Sequence, residues 1–258
     1  MPHATGKMTR PIHVLRTRLP RLMLAIFVML LLPLLAAAQT EGLGSWNILN
    51  VKYAWSDRLS GFAEGQVRSL RFYDDFHYYE YKGGLTYKAM AGLKLSLGAG
   101  RYVTYRPGGD FVEPRANDEF RLWPQVVLES SLGRVRVEQR YRWEMRYTSF
   151  GYRNRFRFRI GLAYPFGPMK DGVRPYLLSG NNELFFTDNE PYFKRNRVQL
   201  GVARRISSTV SVQLGYLHQF DYRINDEIGR DFLVVGVYLE LHRKKEQAPI
   251  SPELLPQD

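Results

Sequence analysis

The sequence predicts an all-β protein, an antiparallel transmembrane β-barrel of about 10–12 strands. Three observations lead to this prediction. Charged and apolar residues alternate strictly over a long segment, similar segments recur along the chain, and no run of 18 apolar residues follows position 38. Helical membrane spans are therefore not expected, whereas a barrel needs apolar side chains only at alternate positions.

The segment 134–146 carries the clearest alternation. Every even-numbered position is charged, and every odd-numbered position is apolar or aromatic except Gln139. A period of two is the period of a β-strand, whose successive side chains point to opposite faces. One face of this strand is thus wholly charged and the other mostly apolar, which is typical of a wall between lipid and a polar lumen.

Comparable alternation recurs in eleven segments along the chain. The predicted strands are 45–55, 58–72, 76–88, 93–105, 118–130, 133–147, 152–164, 173–186, 191–205, 209–222 and 230–242. Bacterial single-chain barrels have an even number of strands, so we expect ten or twelve. Either one strand is wrongly merged or split, or the segment 45–55 lies inside the lumen. Short turns on one side and longer loops on the other are also expected.

The N-terminal residues 1–38 are predicted to be a cleavable signal peptide for export. Five basic residues and no acidic residue precede an apolar core at 22–35, and Ala36–Ala38 provides an A-x-A cleavage sequence. The alternative, a transmembrane anchor, would need about 20 apolar residues. Residues 39–243 then form the outer-membrane barrel, and the tail 244–258 is predicted to be disordered.

Composition narrows the function classes. The chain has no cysteine, which excludes disulfides, thiol chemistry and cysteine-based metal sites. The formal net charge of +12 falls to +7 without the five basic residues of the predicted signal peptide. Since the arginines alternate with apolar residues at strand spacing instead of clustering in a loop, nucleic acid is not an expected partner.

Several short motifs together resemble a known family. They are Trp46, Glu64-x-Gln66-x-Arg68, Glu119-x-Arg121-x-Trp123, Arg136-x-Glu138-x-Arg140, Arg155-x-Arg157, and Asn182-Glu183 followed by Asn196-Arg197. In order and spacing they resemble the outer-membrane β-barrel family catalogued as domain of unknown function 2490, over about 45–242. The resemblance implies an outer-membrane location in a Gram-negative envelope. It implies no activity and assigns no functional residues.

The candidate site is a ladder of charged side chains on the lumen face of three predicted strands. Its members are Glu119, Arg121, Arg136, Glu138, Arg140, Arg142, Glu144, Arg153, Arg155, Arg157 and Arg159. Adjacent strands are expected to bring Glu119 and Arg121 near 136–142, and 136–142 near 153–159. The ladder would be a salt-bridge network that fills and stiffens the barrel. Alternatively it would line an electropositive channel for small anionic solutes.

The predicted role is passive, either a narrow porin-like pore or a structural envelope protein, with no enzymatic activity, cofactor or metal. Its expected surroundings are outer-membrane lipid and lipopolysaccharide, with the barrel-assembly machinery as a partner during biogenesis. A lipid-modifying enzyme is one alternative, and it would need a Ser–His or His–Asp pair at one rim. The histidines considered are His77, beside Asp74 and Asp75, and His218, near Asp221. The other alternative is a soluble periplasmic ligand-binding barrel with its apolar face inward.

Overall fold

The computed structural model describes residues 40–169, 172–223 and 227–243, and these form eleven strands. The strands are β1 (Thr40–Ala54), β2 (Leu59–Arg71), β3 (Asp74–Met90), β4 (Leu93–Arg106), β5 (Val112–Leu132), β6 (Val135–Thr148), β7 (Gly151–Phe166), β8 (Tyr176–Thr187), β9 (Phe193–Arg205), β10 (Val210–Asp221) and β11 (Ile228–His242). In this part of the chain no helix is long and apolar enough to cross a membrane. The all-β prediction is confirmed, and each predicted strand is found with shifted ends.

The strands close into one barrel in which sequence neighbours pair with each other. Ten pairings are antiparallel, and the closing pair, β1 with β11, is parallel. The predicted range of ten to twelve strands is confirmed, but the preference for an even number and the expectation of a wholly antiparallel sheet are wrong. When successive strands alternate in direction, an odd number makes the first and last strands run the same way. The chain therefore enters at one end of the barrel and leaves at the other.

We call the end at which β1 begins the amino end, and the end at which β11 finishes the carboxy end. The amino end carries the connections 72–73, 107–111, 149–150, 188–192 and 222–227. The carboxy end carries 55–58, 91–92, 133–134, 167–175 and 206–209. Both ends have two-residue turns as well as longer connections. The expected division into a short-turn end and a long-loop end is therefore not found.

Side-chain burial alternates along the strands, with the charged face inside. In β6, Arg140, Arg142 and Glu144 are buried, whereas Tyr141 and Trp143 between them are exposed. At β6 the charged face thus lines the interior and the aromatic face points outward, whereas an apolar cluster is also buried inside the barrel, formed by Trp46, Ile48, Leu217, Phe232 and Val234. The orientation of β6 agrees with the one expected from 134–146.

Two predicted segments cannot be compared with the structure. The predicted signal peptide, 1–38, and the predicted disordered tail, 244–258, lie outside the described residues. The barrel domain predicted for 39–243 contains all eleven strands.

Candidate functional site

The lumen contains a network of buried charges that includes most of the predicted ladder. Eight ladder residues are buried: Glu119, Arg121, Arg140, Arg142, Glu144, Arg155, Arg157 and Arg159. Arg136 and Glu138 are half-buried near the carboxy end, and Glu138 accepts a hydrogen bond from Arg159 at 2.6 Å. Arg153 is exposed at the amino end of β7 and does not join the buried set.

The first part of the network is built around two carboxylates, Glu144 and Glu183. Arg155 lies 2.5 Å from Glu144, and Arg140 lies 2.5 Å from Glu183. Arg157 bridges the two carboxylates, with one terminal nitrogen 2.8 Å from each. Each carboxylate thus accepts several hydrogen bonds from charged donors. Such bonds can offset the free energy that buried charges lose when they leave water.

Strand register explains why the network needs Glu183. Across β6 and β7, Arg140 lies opposite Arg159 and Arg142 lies opposite Arg157. Like charges facing each other across a sheet destabilise the pairing. Glu183 lies opposite Arg159 on the other side of β7 and compensates the arginine rows. The predicted ladder did not include Glu183. Its alternating position within the predicted strand 173–186 could have indicated that it belongs to the lumen face.

The predicted surroundings of Glu119 differ from the observed ones. The β5–β6 hairpin pairs Glu119 with Thr148 and Arg121 with Arg146. Residues in a hairpin pair at equal distances from the turn, here 133–134, so Glu119 faces the end of β6 and not 136–142. Glu119 accepts hydrogen bonds from Arg121 Nε at 2.6 Å and from Arg146 Nη2 at 2.9 Å.

The second part of the network lies on β2 and β3. The Lys82 ammonium is 2.7 Å from Glu64 and 2.6 Å from Glu80, and Arg68 is 3.0 Å from Glu80. All four side chains are buried. The predicted ladder did not include them, although Glu64 and Arg68 are four residues apart and Glu80 and Lys82 are two apart, and these even spacings place each pair on one face of its strand.

Aromatic rings separate the charged groups inside the lumen. Trp46 and Trp123 are the largest fully buried side chains. The guanidinium carbon of Arg68 lies 3.3 Å from the Trp46 ring centroid, and that of Arg142 lies 5.1 Å from the Trp123 centroid. A cation over a desolvated aromatic face contributes about 2 kcal/mol. The ring of Trp123 fits because Gly98 has no side chain: a Cβ there would be 2.3 Å from the ring.

Little space remains around these rings. A cavity lined by Trp46, Arg159 and Glu183 in the middle of the barrel has a volume of about 10 Å³. That volume is close to the least that holds one water molecule. A larger cavity of about 190 Å³ lies at the amino end and is lined by Arg68, Arg121 and other arginines. The ion pairs and aromatic rings therefore fill most of the middle of the lumen and leave open space at its amino end.

The two histidines considered from the sequence lie on opposite faces of the wall. His77 is buried at the amino end of the lumen, whereas His218 is on the outer face. His218 Nδ1 lies 2.7 Å from Asp231 Oδ1, and Tyr216 donates a hydrogen bond to the same carboxylate. Asp221, the predicted neighbour of His218, points into the lumen and is buried. No group of three His, Asp or Glu side chains suited to a metal is found in the described ranges.

Comparisons with known proteins identify a family but no activity. A family model described as a protein of unknown function, DUF2490, matches residues 43–229. This range covers more than half of the chain and extends from β1 to the first residues of β11. No curated protein matches the chain.

Proposed function

We propose that this chain, which belongs to the DUF2490 family of proteins of unknown function, is a structural β-barrel of the outer membrane whose lumen is closed to free diffusion. The observation that carries the proposal is the inverted wall, with buried charge inside and exposed apolar side chains outside. Such a barrel would be surrounded by outer-membrane lipid and lipopolysaccharide, and inserted by the barrel-assembly machinery.

The outer surface supports a lipid environment. Leu85, Leu97 and Leu214 lie in the strands, point outward and are 55%, 61% and 59% exposed. Water-soluble monomers rarely expose large contiguous apolar patches, whereas the outer face of a membrane barrel consists of one. The soluble ligand-binding alternative requires the apolar face to point inward, which is opposite to the burial observed in β6.

The distribution of aromatic side chains along the outer wall gives further support. Tyr147 and Tyr152 are exposed near the amino end, and Trp55 and Tyr87 are exposed near the carboxy end. Aromatic girdles at both interfaces are typical of membrane barrels, whereas a ligand pocket would favour one end. The strands contain 12 to 21 residues, more than the roughly 9–11 that cross a bilayer.

The pairing of the interior charges supports a closed lumen. Arg140, Arg155 and Arg157 are held by Glu144 and Glu183 and are nearly without solvent contact. An anion-selective pore would instead need arginines that contact water along a continuous path. The ion pairs and the tryptophan rings across the lumen therefore favour a structural role over a pore.

The purified protein is expected to insert into planar lipid bilayers without producing discrete conductance steps, because buried ion pairs and aromatic rings occupy the middle of the lumen. The measurement is single-channel current under a KCl gradient. Insertion is checked in parallel vesicles by the altered gel mobility of unheated samples and by resistance to protease. Discrete steps with a reversal potential favouring anions would contradict the closed lumen and support an arginine-lined pore.

A second candidate function, a lipid-modifying enzyme, is favoured by the outer-face pair His218–Asp231. A carboxylate at Nδ1 orients an imidazole for acid–base chemistry. Within the described residues, however, no serine or threonine hydroxyl is hydrogen-bonded to His218, so the pair has no evident nucleophile. The pair is equally suited to the interfacial region of a barrel wall, where polar tips meet water.

We therefore expect no turnover when the protein is reconstituted with phospholipid or lipopolysaccharide and lipid products are followed by mass spectrometry. The matched variant is His218→Ala, which removes the imidazole from the outer face and leaves the lumen intact. Hydrolysis or acyl transfer by the unaltered protein that disappears in His218→Ala would replace the structural proposal with the enzyme.

A further inference from the structure

The amino end of the lumen contains a cavity of about 190 Å³ that the structural role does not use. Eight arginines line it, among them Arg121, Arg146 and Arg230, and they come from six different strands. Arginines projecting from separate strands of a closed barrel are held by the wall and cannot easily move apart. The cavity is therefore a preformed concave surface rich in guanidinium groups.

Positive charge exceeds negative charge around this cavity. Glu80 and Glu119 line it directly. Glu144, Glu183 and Asp221 pair with lining arginines. Among the residues that line the cavity, the eight arginines outnumber the two glutamates. This surplus of guanidinium groups makes the electrostatic potential inside the cavity positive, which favours an anion.

A second, independent observation comes from His77. It lines the cavity and is only 8% exposed, yet its Nδ1 has no hydrogen-bond partner among the described residues. Buried polar atoms in native proteins almost always have a partner, and an atom directed into a cavity can be satisfied by a ligand or water bound there. In a neutral imidazole one ring nitrogen donates and the other accepts, so His77 can donate to an anionic oxygen in the tautomer that carries its proton on Nδ1.

The cavity communicates with solvent at the amino end. The side chain of Arg195 is 26% exposed and that of Arg146 is 17% exposed, although both line it. A ligand can therefore approach from the connections at this end. The planar guanidinium fork matches the tetrahedral oxygens of phosphate, and several forks around one small volume suit a group with more than one negative charge.

We propose that this cavity binds a phosphate group, carried either by free phosphate or by the headgroup of a phosphorylated lipid. The site is formed by the arginines of the amino end together with His77. The inference goes beyond the structural role and does not depend on it, since the cavity would be present in the barrel whatever surrounds its outer wall.

The test is isothermal titration calorimetry of the purified full-length mature protein in zwitterionic detergent, in a phosphate-free buffer. One arm uses inorganic phosphate and pyrophosphate. The other uses diphosphorylated lipid A, compared with the same lipid after enzymatic removal of its phosphates. Saturable binding of the inorganic ions assigns a soluble phosphate, and binding only of the phosphorylated lipid assigns a headgroup; both outcomes support a phosphate site.

Three variants locate the binding. Arg230→Gln and His77→Ala each remove one cavity group, and each is expected to weaken binding about tenfold or more. Arg153→Gln removes an exposed arginine at the same end that does not line the cavity, and it should change affinity by less than about twofold. Unheated gel mobility verifies that each variant is folded.

The proposal is overturned if the unaltered protein binds none of the phosphate probes, or if Arg153→Gln weakens binding as much as Arg230→Gln. It is likewise overturned if both cavity variants are folded and bind as tightly as the unaltered protein. Because two cavity variants are used, failure of one to fold leaves the other to decide the result.

Discussion

Glu144→Gln is expected to lower the free energy of unfolding of the barrel by about 3–5 kcal/mol, the usual effect of removing one partner from a buried ion pair. Glu144 is fully buried and lies between Arg155, Arg157 and Arg142. Glutamine has nearly the same volume, so the loss reflects charge and not a cavity. The guanidinium groups left without this carboxylate would remain buried among other arginines, notably Arg142 opposite Arg157.

The measurement is urea unfolding in detergent micelles, followed by tryptophan fluorescence. The matched control is Glu113→Gln, which makes the same change at an exposed carboxylate paired with Arg115 in β5. Exposed pairs contribute about 0–1 kcal/mol, so the control should unfold near the unaltered protein. Similar unfolding midpoints for the two variants would mean that the interior network does not stabilise the barrel.

The alternation in the sequence was sufficient to place the strands and their two faces. Side chains of a regular strand alternate between its two faces, and a bulge would shift that alternation. The segment 134–146 alternates without interruption, so the sequence alone showed which of its side chains share a face. Antiparallel pairing of neighbours also followed, since short connections join adjacent antiparallel strands. Closure was different, because β1 and β11 are distant in sequence and no local pattern shows that these two strands pair.

The expectation of an even number of strands was wrong. It rests on barrels whose first and last strands pair antiparallel, and here that pair is parallel over Leu43–Ala54 and Asp231–His242. With eleven strands that alternate in direction, β1 and β11 run the same way, so the parallel pair follows from the strand number. The eleven alternating segments counted in the sequence therefore already implied it, and the general rule of an even number was wrongly preferred to that count.

The candidate site was predictable as a charged face, but not as a set of pairs. Counting outward from the turn 133–134 pairs Arg146 with Arg121 and so brings it diagonally close to Glu119, which makes the contact of Arg146 with Glu119 recoverable from the sequence. The bridge from Arg157 to both Glu144 and Glu183 was not, because it depends on side-chain conformations across three strands. Arg153 has the same alternation as the buried arginines of β7 but lies at the end of the strand, where it is exposed. The alternation does not show where along a strand burial ends.

Leu214→Arg is expected to destabilise the barrel in lipid vesicles by about 2–4 kcal/mol, because a charge facing lipid near the middle of the hydrocarbon layer is costly. Leu214 lies near the centre of β10, between Val202 and Val235 on the neighbouring strands, and is 59% exposed on the outer wall. The measurement is the urea dependence of folding into vesicles, followed by unheated gel mobility.

The same substitution at a strand end provides the control. Leu132 is the last residue of β5, at the carboxy end, and is exposed. If a hydrocarbon layer surrounds the barrel, Leu132→Arg lies near its edge and should cost only about 0–1 kcal/mol. The depth dependence is the decisive quantity, because a water-exposed wall would tolerate arginine equally well at both positions. Equal and small effects would therefore contradict membrane insertion even if the protein remained associated with vesicles.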